Sequence, residues 1–80
     1  MRQPRVESLA HEFEQAAKNM GLASSAEARV APDGSAAAVR VETDGSAFND
    51  LQRLAGRYGF KFVEKYNEQG YLFRYTGDGR

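Results

Sequence analysis

Leu9-Ala10, Phe13, Ala16-Ala17 and Met20-Gly21-Leu22 recur 38 positions later as Ala47-Phe48, Leu51, Leu54-Ala55 and Tyr58-Gly59-Phe60, with every apolar slot refilled. Each copy is followed by two strand-like segments and closes on the same dipeptide, Asp44-Gly45 and then Asp78-Gly79. A repeat of this kind restricts the chain to two copies of one supersecondary unit, neither of which can bury its apolar face alone. One domain over residues 1–80 is therefore expected, built from helix-strand-strand units at 4–45 and 46–79.

The first helix is expected to start near Pro4, whose missing N–H has no partner in a first turn, and to stop at Gly21. Val6, Leu9, Phe13, Ala16 and Met20 fall on one stripe at the helical period, flanked by Ala10 and Ala17. Glu7, His11, Glu14 and Lys18 occupy the opposite face. The second helix is expected to follow Asp44-Gly45-Ser46, with Ser46 or Asp44 accepting a bond from a free N–H, and to end at Gly59. Gly56 inside it costs about 1 kcal/mol relative to alanine, which a closely packed backbone would justify.

Between the helices, segments 26–31 and 36–42 flank Pro32-Asp33-Gly34-Ser35, a combination that turns the chain, so they read as a hairpin. Segments 60–66 and 71–76 flank Asn67-Glu68-Gln69-Gly70 and read as a second hairpin. The tail from Gly77 to Arg80 is expected to fray. The resulting fold class is α+β: a two-layer sandwich in the order α-β-β-α-β-β, with two helices on one face of a four-stranded, mainly antiparallel sheet. This order arises when the first strand of a ferredoxin-like plait is moved to its end. It puts the second strand of each hairpin in the centre of the sheet.

Strand parity assigns the faces, because successive side chains point to opposite sides. Phe60, Phe62 and Tyr66, with Tyr71, Phe73 and Tyr75, share the side assigned to the helices, together with Ala28, Val30, Ala37, Val39 and Val41. The other parity carries Glu27, Arg29, Arg40, Glu42, Lys61, Val63, Lys65, Leu72 and Arg74. Five basic residues against two acidic ones would make this open face locally positive, with Val63 and Leu72 as apolar contacts in its middle. The candidate interaction face is thus Arg29, Arg40, Lys61, Val63, Lys65, Leu72 and Arg74. The unpaired backbone of an edge strand offers a second route to association.

Chemistry finds little support. His11 is the only histidine and lies on the polar face of its helix without a second group to tune it. One imidazole with scattered carboxylates is not a metal site, and the three Asp-Gly pairs stand where turns or caps are needed. Neither a catalytic residue nor a cofactor is expected. There is no cysteine, and 11 basic residues balance 11 acidic ones, which removes net charge as an argument for nucleic acid. With no apolar run of signal or membrane-span length, a soluble cytoplasmic protein without membrane contact is expected.

These features favour a non-catalytic interaction module that docks a protein partner, or a second copy, through the open face or an edge strand. A face-to-face dimer would have to set Glu27 and Glu42 against Arg29, Arg40 or Arg74 across its axis. The alternative is a weak nucleic-acid binder using Arg29, Arg40, Lys61, Lys65 and Arg74 as phosphate contacts. Basic and aromatic residues of opposite parity weaken that alternative, since single-stranded bases need both on one face. A small-ligand pocket at the seam between the units, or a small inhibitor or adaptor encoded by a mobile element, fits the same sequence.

Overall fold

The structure, a computed structural model, describes residues 5–77. Its elements run α1 (Arg5–Asn19), β1 (Ser25–Val30), β2 (Ala37–Glu42), α2 (Phe48–Arg57), β3 (Phe60–Lys65) and β4 (Gly70–Tyr75). The four strands form one antiparallel sheet in the order β1-β2-β4-β3, so the second strand of each hairpin is central, as the repeat predicts. The two units meet in the sheet only along β2 and β4.

Both helices cover the same face. Phe13 of α1 packs edge-on against Phe73 and at a tilt against Phe60, while Phe48 of α2 stacks on Tyr71 and also reaches Phe73. Ala10, Phe13 and Ala17 are fully buried and form the centre of the α1 stripe; Leu51, Leu54 and Ala55 do the same for α2. Phe13 with Leu51 and Ala17 with Ala55 are repeat-equivalent, whereas Ala10 and Leu54 correspond to the half-buried Phe48 and Ala16; all fall at the period expected of a core-facing helix. Val39 and Val41 of β2 and Phe73 of β4 complete the sheet side of the core. Met20, expected on the stripe, is 59% exposed, because α1 ends at Asn19 and the chain turns before Met20 can reach the sheet.

Gly21 and Gly59, equivalent in the repeat, both adopt positive φ, at 74° and 84°. At the first, Leu22 N–H donates to Ala17 O and Gly21 N–H to Lys18 O, the paired bonds that satisfy carbonyls at a helix end closed by a left-handed glycine. At the second, an added Cβ would lie 2.9 Å from Tyr75 Cε1, so the site needs glycine for both conformation and space. Gly56 differs from expectation. No neighbour lies within 4 Å of an added Cβ there, so close backbone packing does not explain it.

The connections reuse one device. Asp33 Oδ1 accepts from the Ser35 backbone N–H and hydroxyl, and Asp44 Oδ1 accepts the same pair from Ser46. These Asx turns hold both carboxyls below their ordinary range, chiefly through the serine hydroxyl and next through the backbone N–H. Asp44 therefore spends its acceptor on the turn rather than on the helix. Ala47 stands at the N-cap of α2 without a side-chain bond, which corrects the cap expected from Ser46 or Asp44. Gly77 is tied rather than frayed: its N–H and that of Thr76 both donate to Gly59 O. The remainder of the expected tail, with the Asp78-Gly79 pair, lies outside the described residues, as does Pro4.

Candidate interaction face

The face opposite the helices is built from three cross-strand rows, read directly from the register. Arg29, Ala38, Arg74 and Lys61 form one; Glu27, Arg40, Leu72 and Glu64 form the next; Ser25, Glu42 and Gly70 form the third. Cross-strand neighbours on one face lie within side-chain reach, so each row acts as a local unit. The Ser25 hydroxyl donates to Glu42 Oε1 at 3.3 Å in the third row. Ala38 projects only a methyl between Arg29 and Arg74, leaving a hollow of about 320 Å³.

Strand β3 does not keep one parity. Phe62 pairs with Phe73, but the next pair is Glu64 with Leu72, so Val63 is an extra residue in a β-bulge. One inserted residue moves every later side chain to the other side. Lys65, expected on the open face, instead pairs with Tyr71 on the helix side, its Nζ 5.6 Å from the ring centroid. Glu64 takes the open-face position. Val63 stands at the bulge, 44% exposed and outside the ladder, and Leu72 is half-buried between Arg40 and Glu64 rather than exposed.

Tyr66 is moved in the opposite sense. Expected in the core, it lies on the open face with Arg40 Cζ 4.9 Å from its ring centroid. Its N–H donates to Gly70 O, and its ring occupies the space a Cβ at Gly70 would fill, at 2.5 Å from that position. Gly70 thus makes the seat for the ring, and the guanidinium covers the ring from above, a geometry that attracts cation to π-face. The signal that could have found this is Glu64. With Phe60 and Phe62 facing the helices, unbroken alternation would drive the Glu64 carboxylate into the core side, and a bulge avoids that cost.

The charge balance changes with it. Arg29, Arg40, Lys61 and Arg74 now face Glu27, Glu42 and Glu64 on the same surface, four cations against three carboxylates. Arg29 Nε lies 3.4 Å from Glu27 Oε2, both well exposed. Phe62, on the helix side of β3, is 36% exposed although it packs edge-on against Phe48.

Elsewhere, His11 is exposed and lies 3.4 Å from Glu14. A hollow of about 420 Å³ opens where residues 21–24, the 43–47 connection and Gln69 meet, with buried Thr43 in its wall and no cationic side chain around it. Among the described residues no three acidic or histidine side chains converge as metal ligands, and no helix is long and apolar enough to cross a membrane. No family model, curated protein or solved structure matches this chain.

Proposed function

We propose that this chain is a non-catalytic interaction module whose open sheet face docks a protein partner. The observation that carries this reading is the centre of the face: half-buried Leu72 beside Arg40, with Arg40 stacked on Tyr66, and carboxylates at Glu27, Glu42 and Glu64 around them. An apolar and aromatic centre holding an arginine, inside a rim of mixed charge, is the composition of protein–protein contact patches. The side-chain stack is assembled before any partner arrives, which lowers the ordering cost of docking.

One observation favours nucleic acid as a second reading. The bulge brings Tyr66 to the face that carries Arg29, Arg40, Lys61 and Arg74, so an aromatic ring and four cations now share a surface. Three carboxylates among them oppose phosphate. The same experiment separates the readings: the immobilised chain is exposed to extract of the source organism with and without nuclease, in parallel with Leu72→Glu. A protein retained by the wild type after nuclease and lost from Leu72→Glu supports the proposal. Retention that disappears with nuclease, and direct binding to single strands with a log–log salt slope of about −3 from four cations, would transfer the reading to nucleic acid. Equal retention by the wild type and Leu72→Glu would remove the open face from consideration.

A further inference from the structure

The two edges of the sheet are unequal. At β3 the edge is interrupted by the Val63 bulge and carries Lys61, Glu64 and Lys65, devices that oppose pairing with another chain. At β1 there is no bulge, proline or lysine over the six residues Ser25–Val30, and the register with β2 is unbroken. β1 is an open template.

Its free backbone groups can be assigned. Ala31 N–H donates to Ala36 O, while Thr43 N–H donates away from β1 to Gln69 O. Hydrogen-bonded pairs alternate along an antiparallel ladder, so Ser25, Glu27 and Arg29 direct their backbone groups at β2. The N–H and C=O groups of Ala26, Ala28 and Val30 point outward from the sheet. On the helix side the same three residues present small, half-buried apolar side chains; on the open side stand Glu27 and Arg29, 61% and 65% exposed.

We propose that β1 pairs antiparallel with β1 of a second copy about a twofold axis at Ala28, joining two four-stranded sheets into one. In that register the outward groups of Ala28 meet those of its own copy, and Ala26 meets Val30 of the second chain, so every free group at these positions finds a partner. Glu27 then lies opposite Arg29 of the second chain, and Arg29 opposite its Glu27, in the closer, non-hydrogen-bonded pairs. This charge order is self-complementary, which is why the occupant is a second copy rather than an unrelated strand. The Glu27–Arg29 contacts within the two chains, one in each, are exchanged for two between chains. Helix α1 lies over both β1 and β2, so two copies of α1 would run about 10 Å apart, a helix-packing distance. Pro32, which has no N–H, ends the shared ladder beyond Ala31.

Sedimentation of the 8.9 kDa chain between about 10 µM and 1 mM tests this. The wild type is expected to pass from monomer to dimer. Glu27→Arg and Arg29→Glu, each surrounding the axis with like charge, weaken association by about tenfold or more, and an equimolar mixture of the two restores the dimer as a heterodimer. Ala28→Pro removes an outward N–H, leaves the β1–β2 ladder intact and abolishes the dimer, with circular dichroism verifying the fold. Leu72→Glu dimerises like the wild type, so loss of partner capture on the open face and loss of self-pairing are separable. A wild type that stays monomeric, single charge variants that associate as it does, a mixture that fails to restore the dimer, or a monomeric Leu72→Glu would each overturn the proposal.

Discussion

The two helix-strand-strand units share a helix but not a hairpin. In the first, β1 and β2 pair without interruption and pack alanine and valine beneath α1; in the second, β3 and β4 pair around a bulge and supply most of the rings in the core. The first hairpin keeps its faces and leaves a regular edge. The second trades one residue of ladder for a change of parity that takes Glu64 out of the helix side and places Tyr66 beside Arg40. A duplicated scaffold thus keeps its helix slots, where both copies need the same packing, and diverges in its strands, where one residue decides what each face displays.

The inequality of packing can be broken at one cross-strand pair, Val39 with Phe73, both fully buried. Phe73 touches rings from both helices and from β3, so Phe73→Ala is expected to cost about 3–5 kcal/mol, which can unfold a domain of this size. Val39→Ala removes less volume and is expected to cost about 2 kcal/mol. Urea denaturation of the two variants measures the ratio; equal losses would show that the aromatic half does not carry the heavier share.

The helix ends sharpen the comparison at smaller scale. Gly21 and Gly59 share positive φ, but only Gly59 has a ring against the space of its missing Cβ. Gly21→Ala is expected to cost roughly 1–2 kcal/mol from backbone conformation alone. Gly59→Ala should cost about 1 kcal/mol more, because Tyr75 must move. Thermal melts of both variants against the wild type check the order.

The twin Asx turns should give the smallest effect, and here the units' connections behave alike. Asp33 and Asp44 have folded pKa values below the ordinary 3.8, so their contribution to stability is present above that value and lost as pH falls through the lowered folded values. Asn at either position keeps the accepting oxygen and removes the titration. Denaturation midpoints followed from about pH 5 to pH 2 should therefore fall less steeply for Asp33→Asn with Asp44→Asn than for the wild type.

Much of this architecture could be read from the residues. The stripe around Phe13 and Leu51, the two glycine stops and the Pro32-Asp33-Gly34 turn are local patterns, and each is set by interactions within a few residues. The open face was only partly legible. Positions on β1, β2 and β4, and on β3 ahead of the bulge, follow simple alternation, so Arg29, Arg40, Lys61, Leu72 and Arg74 stand where parity places them. Lys65 and Tyr66 do not, because the Val63 bulge is decided by which residues of β3 find Phe73 and Leu72 across the ladder, a non-local choice. Met20 and the uncapped start of α2 were missed for a related reason: where a helix stops depends on the loop that must leave it.

The sheet joins its halves at one place, β2 against β4, and every other strand pair is a hairpin between chain neighbours. That arrangement has a kinetic side. Each hairpin closes a short loop and can form early, whereas setting Glu42 against Gly70 must close a loop containing all of α2 and β3. Substitutions along this junction should slow folding more than equally destabilising ones in either hairpin turn, giving β2 and β4 the highest φ-values in the molecule.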